Sequence, residues 1–234
     1  MNKKLTALLC SALVSTVAVA EDGIKSSVEL GLVQTSGNTD TQSINGKANF
    51  EMTKNVWRTE ASLEALSVKG EEERLSEKYL GTGQVSYLIN DRSYAFLAAN
   101  GEHDPFSGYS YQAGGSLGYG HRVIKKPTML LDLEVGPGYR ETKLRATGDT
   151  NDEAILRLAG KFAWDLSKTS KFTEVLTVES GEDLTITKSV TAVTAQIAGN
   201  MAMKASFTLK NTSDPAPGAD ETDTETGLTL VYTF

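Results

Sequence analysis

The sequence predicts an all-β protein, a transmembrane antiparallel up-and-down β-barrel of about 12 strands. Three observations carry that expectation: an export signal at the start, apolar and polar residues alternating at a period of two, and connections that alternate between tight and long. Helical spacing is almost absent, and no later run of roughly eighteen apolar residues offers a transmembrane helix.

Lys3 and Lys4 precede an apolar run, Leu5 to Val19, that ends in Ala18-Val19-Ala20 before Glu21-Asp22. A basic start, an apolar middle and small residues at the end read as a secretory signal peptide, residues 1–20, with residues 21–234 as the barrel. Cys10 raises a lipoprotein alternative, but it sits mid-run after Leu9, where a lipid-modified Cys normally follows a small residue. Loss of the leader removes the only Cys and takes the net charge from −7 to −9. With 23 basic against 30 acidic residues, one Cys and 5 Pro, the composition excludes a basic nucleic-acid binder, a disulfide-stapled miniprotein, a Cys-built zinc module and a disordered chain.

Strands are expected near 25–35, 42–53, 56–68, 78–89, 92–102, 109–122, 127–140, 153–166, 170–180, 186–199, 202–212 and 223–234. Several alternate cleanly enough to assign faces. Ile44, Ala48, Phe50 and Met52 oppose Ser43, Lys47, Asn49 and Glu51; Trp57, Ala61, Leu63 and Ala65 oppose Arg58, Glu60 and Glu64. Leu156, Leu158, Phe162 and Trp164 oppose Arg157, Lys161 and Asp165, and Met203, Phe207 and Leu209 oppose Lys204 and Lys210.

Alternation also describes a sandwich with one wet face, so the connections decide. Tight turns are expected at Lys54-Asn55, Asn90-Asp91, Lys125-Lys126-Pro127, Ser167-Lys168-Thr169 and Asn200-Met201. Longer, mostly acidic connections fall at Ser36 to Asp40, Lys69 to Glu77, His103 to Gly108, Thr147 to Asp152, Gly181 to Thr185 and Ser213 to Thr222. Sorting of short turns to one side and long loops to the other belongs to outer-membrane barrels of Gram-negative bacteria. Trp57, Tyr79, Tyr87, Tyr109, Tyr111, Tyr119, Tyr139, Trp164 and Phe172 lie near strand ends, as interfacial girdles require. The chain ends on Phe234 with Tyr232 on the same face, a pattern similar to the signal read by the barrel-assembly machinery. Closure has a physical cause: backbone groups unpaired in lipid cost several kcal/mol each, and only a ring of strands removes them all. The expected surroundings are outer-membrane lipid and lipopolysaccharide, reached through the periplasm, with no nucleic acid and no cofactor.

In a barrel the apolar faces meet lipid and the polar faces line the lumen. The expected lining is Lys47, Glu51, Arg58, Glu60, Glu64, Asp132, Glu134, Arg140, Arg157, Lys161, Asp165, Lys204 and Lys210, with Glu179. Two readings follow: a narrow hydrated path for ions or small solutes, or charges that fill and stiffen a plugged structural barrel. The acidic runs Glu71-Glu72-Glu73, Asp149 with Asp152 and Glu153, Glu182-Asp183, and Asp214 with Asp220, Glu221 and Asp223 are ordinary for exposed loops. A divalent cation bridging to lipopolysaccharide is the sharper reading, but none matches a calcium loop. An outer-leaflet lipid-active enzyme needs a nucleophile and a base; His103 beside Asp104, with Ser107 close by, is the available set, and His121 lies at the far end of its strand. The expectation is a non-enzyme.

Ser36-Gly37-Asn38-Thr39-Asp40-Thr41, Asn45-Gly46, Glu77-Lys78-Tyr79, Glu134-Val135-Gly136-Pro137-Gly138-Tyr139-Arg140, Trp164-Asp165-Leu166 and Asn211-Thr212-Ser213-Asp214-Pro215 stand in this order. As a set they resemble the YdiY-like family of salt-induced outer-membrane proteins, a domain of unknown function, over nearly the whole mature chain. The resemblance implies an outer-membrane barrel linked to salt or envelope stress and supplies no catalytic residues. Locally, Gly37 and Asn38 suit a tight turn with positive φ, and Pro137 inside a strand pattern suggests a β-bulge.

Overall fold

The computed structural model describes residues 23–36, 41–69, 75–104, 107–216 and 219–234. The expected leader, the Gly37-Asn38 turn and Glu71 to Glu73 lie outside them. Twelve strands follow in order: β1 Ile24–Ser36, β2 Thr41–Lys54, β3 Trp57–Lys69, β4 Leu75–Leu88, β5 Ser93–His103, β6 Tyr109–Lys126, β7 Met129–Leu144, β8 Thr150–Asp165, β9 Ser170–Ser180, β10 Thr185–Ala198, β11 Met201–Thr212 and β12 Thr222–Thr233. Each pairs antiparallel with its chain neighbour, and β1 closes the ring on β12 through Ser27↔Thr233 to Ser36↔Thr224. No helix of the described residues is long and apolar enough to cross a membrane.

Period-two alternation produces an inside-out protein. Leu32, Leu63, Leu97 and Leu117 are more than 60% exposed on the outer wall, while Ser86, Asp132, Glu134 and Arg140 are buried within. Among the described residues buried apolar side chains form no large core; Val33 and Leu66 make one small cluster. An outer surface this apolar is stable against lipid and not against water. At one rim Trp57 packs edge-on against Tyr87 (5.2 Å), Phe162 against Phe172 (6.1 Å) and Tyr232 against Phe234 (4.9 Å), an aromatic band beside the tight turns. Asn55 adopts φ 55° in the first of those turns, a conformation Asn tolerates better than most residues.

Three local expectations are corrected. The β6–β7 ladder runs on through Lys125↔Leu130 and Lys126↔Met129, so the turn is Pro127-Thr128 and both lysines belong to the strand. At the other rim Thr142↔Asn151 and Lys143↔Thr150 extend the β7–β8 hairpin, leaving a five-residue loop where a longer acidic one was expected. Pro137 makes no bulge. Gly136↔Arg157, Pro137↔Leu156 and Gly138↔Ile155 pair in unbroken register. Instead Gly118 and Gly136 face each other across the pair, so close that a Cβ on Gly136 would stand 2.0 Å from the Leu117 carbonyl oxygen. Bare glycines let β6 and β7 pinch where Pro lacks its N–H, and no residue need be looped out. The register shifts lie elsewhere, between Tyr109 and Tyr111 and between Arg122 and Ile124. The first of them turns Tyr109 inward, where it is buried and not part of a girdle. Ala216, in the β11–β12 connection, is also buried, beside Gly108.

The inner wall of β6 is stripped for a second purpose. A Cβ on Gly120 would lie 2.2 Å from the Tyr94 ring, which packs against that strand. Gly120→Ala is therefore expected to displace Tyr94 and lower stability by about 1–3 kcal/mol, read as a shift in urea midpoint in detergent micelles. Gly83→Ala, where a Cβ meets nothing within 4 Å, is the control expected to leave the midpoint unmoved.

Candidate functional site: a charged lumen

The inner wall carries the chemistry, because closure directs every second side chain of twelve strands into one volume. Its tight-turn half holds a network centred on Glu134, whose side chain is fully enclosed. Gln84 Nε2 donates to Glu134 Oε1 at 2.8 Å and Tyr94 OH to the same oxygen at 2.9 Å. Lys161 Nζ lies 2.9 Å from Oε1, and Arg157 donates to Oε2 at 3.0 Å. Next to it Arg122 holds Asp132 with two bonds (2.7 and 2.9 Å), and Arg58 approaches Asp132 at 3.5 Å and Glu60 at 3.6 Å. Arg58 stacks over the Tyr94 ring at 4.6 Å and Arg157 over Phe96 at 5.5 Å. Rings laid on glycine walls thus support the two arginines.

The long-loop half holds a second cluster. Lys78 pairs with Glu225 (2.8 Å), Asp104 (3.1 Å) and Glu102 (3.7 Å). Lys210 Nζ donates to both oxygens of Glu102 and to Gln112 Oε1, each at 3.2 Å. Lys210 stands on β11 and Glu102 on β5, six places apart in the ring of twelve, so this bridge spans the lumen diameter. Above it Arg140 donates to Glu153 (2.5 Å) and to the Leu184 carbonyl (2.7 Å), and Glu153 accepts the Asp183 N–H, fixing the β9–β10 loop at the rim.

Of the other residues singled out from the sequence, Lys47 pairs with Glu64 (3.3 Å) and Lys204 with Glu29 (3.0 Å). Asp165 meets Lys171 at the tight-turn rim (3.9 Å), and Glu51 and Glu179 line the main cavity. Sequence reasoning missed Glu29, Lys78, Glu102, Gln112, Lys188 and Glu225. It also missed Glu174, which register with Phe162 and Thr191 puts on the outer wall, where it accepts from the Ser189 hydroxyl (2.6 Å) and the Thr191 hydroxyl. Two donors offset part of the cost of a carboxylate on that face.

The described side chains leave a cavity of about 790 Å³ beside the Glu134 network. A vestibule of about 830 Å³ at the tight-turn rim shares Lys171 and Thr233 with it. A pocket of only about 90 Å³ lies against the β1–β3 and β11–β12 wall, between Lys78 and Lys188 on one side and Glu29, Lys47 and Lys204 on the other. Glu102, Lys210, Gln112 and Arg140 line the larger cavity itself, so the Lys210–Glu102 bridge crosses its long-loop end.

His103, Asp104 and Ser107 do not converge. Strand alternation turns His103 outward, where its ring nitrogen meets the Ser110 carbonyl (2.6 Å), and Asp104 inward to Lys78; Ser107 donates to the Asp104 backbone carbonyl. His121 stacks on Tyr119 and meets Ser93 at 3.2 Å. Among the described residues no three His, Cys, Asp or Glu side chains gather as a metal site.

The family described as "Protein of unknown function, DUF481" matches residues 28–234. The chain belongs to that family. This DUF481 barrel is 30% identical over 221 residues to an uncharacterized protein, YdiY, of Escherichia coli (strain K12), covering 93% of this chain and 86% of the relative. Among solved structures it is similar to the NanC porin, with TM-score 0.59 at 9% identity, covering 88% of this chain and 98% of the porin. An outer membrane channel from Pseudomonas putida F1 gives 0.54 at 10% identity, with 92% and 97% covered. The KdgM porin in complex with disordered oligogalacturonate gives 0.51 at 11% identity, with 89% and 99% covered. These likenesses establish a fold shared with outer-membrane porins and channels.

Proposed function

We propose that this DUF481 barrel sits in the outer membrane as a narrow channel for ions or small solutes, tight turns toward the periplasm, and that the Lys210–Glu102 layer is its constriction. The observation that carries this is a lumen that holds open volume from the tight-turn rim inward and is crossed toward its long-loop end by a bridge of side chains alone. The outer apolar wall and the leader-like first twenty residues support export to a membrane. In a cell under salt or envelope stress, the condition the family resemblance implies, such a lumen admits small solutes and holds back larger ones. The test is single-channel current from refolded protein in planar bilayers across a salt series. Discrete steps are expected, with an ion preference that shifts in Arg58→Ala or Glu60→Ala.

A second reading, a plugged structural or interaction barrel, is favoured by the diametral bridge itself. It predicts no current from protein shown to be folded.

A further inference from the structure

At the outer end of the main cavity one lysine side chain and one amide N–H stand without a partner among the described residues. Lys188 on β10 lies directly opposite Lys210 on β11, and both side chains face the lumen. Like charges in directly opposed cross-strand positions repel. Lys210 is matched by Glu102 and Gln112, and Lys78 by Glu102, Asp104 and Glu225. Among the described residues the Lys188 side chain has no ion pair within 4.0 Å and no hydrogen bond; it lines the main cavity and the small pocket beside it alike. Gln112, 7% exposed, accepts from Lys210 through Oε1, while its amide nitrogen is buried without a partner. A cavity-facing ammonium without an ion partner and an enclosed N–H with nothing to donate to call for an acceptor that carries negative charge.

We propose that Lys188, with Lys210 and the Gln112 amide, forms a binding site for the carboxylate of a small organic monoanion at the outer end of the cavity. The proposal rests on the channel reading for the route by which the ligand arrives, while the site itself stands on the geometry. Glu102 and Glu225 already sit on the neighbouring ammonium groups, so each further negative charge on a ligand adds repulsion and a single charge is favoured. Leu80, Ala98, Val175 and Ile186 supply apolar wall for an organic body, and the cavity has room for one.

The test is calorimetric titration of the full barrel in detergent with sodium gluconate at constant ionic strength, with glucose, inorganic phosphate and chloride as comparisons. Saturable gluconate binding is expected and glucose binding is not. Lys188→Met should weaken gluconate about ten-fold, as loss of one charged hydrogen bond requires, and Lys188→Arg should restore it to within about three-fold. Retained heat-dependent gel mobility checks folding. If Lys188→Met fails that check, Gln112→Met serves in its place, with a several-fold loss expected. Unchanged gluconate affinity in the folded variant overturns the site. Equal displacement by phosphate or chloride overturns the carboxylate assignment. Gluconate binding without bilayer current upholds the site and overturns the channel reading instead.

Discussion

Glu134→Gln is expected to destabilise the barrel by about 3 kcal/mol, the lower end of what breaking a buried ion pair costs. The glutamine keeps the shape and bonds to Gln84 or Tyr94, but Arg157 and Lys161 lose the only fully enclosed carboxylate between them. Lys161 keeps some water and a 3.9 Å approach to Glu60, which is why the lower end applies. The measurement is the urea midpoint in micelles at unchanged slope. Replacing Glu134, Arg157 and Lys161 together with methionine should recover much of the loss, because the desolvation cost of all three charges goes with them. Lys125→Gln provides the contrast: its partner Asp91 is 93% exposed, so less than about 1 kcal/mol is expected. If Glu134→Gln and Lys125→Gln shift the midpoint equally, the network does not stabilise the fold.

The fold was legible because closure leaves its mark on each strand separately. β3 and β11 alternate so regularly that Arg58, Glu60, Lys204 and Lys210 point inward on sequence alone. β9 and β10 do not. Phe172, Glu174, Leu176 and Val178 share the outer wall, while Val175 lines the cavity, so polarity gives no face there. On β10 the outer wall carries Thr187, Ser189 and Thr191, and the inner wall carries Val190 and Ala192 beside Lys188. Only the register with β9 and β11 assigns them. That is why Lys188 and Glu174 were missed. Bridges across the lumen were beyond reach for another reason: Lys210 and Glu102 are 108 residues apart, and their meeting depends on strand number and stagger around the ring. Tyr109 shows the remaining limit, since a one-residue irregularity sends a girdle-like aromatic inside.

Removing the constriction should open the lumen. In Lys210→Met with Glu102→Gln, both ends of the diametral bridge lose their charge, so neither is left as an uncompensated buried ion. Lys78 retains Glu225 and Asp104. Current per channel is expected to rise roughly two-fold or more, because the side-chain bridge that crosses the lumen is the obstacle the proposed path must pass. The single variants separate size from charge. Glu102→Gln leaves Lys78, Lys188 and Lys210 facing the path with one carboxylate fewer and should shift reversal potentials toward anions. Lys210→Met leaves Glu102 in excess and should shift them toward cations. Opposite shifts with a common rise in the double variant would locate the barrier at this layer. Equal currents in all four proteins would place it in the loops above, where Arg140, Glu153 and the Leu184 carbonyl tie the rim, and Arg140→Met would then be the variant that opens the channel.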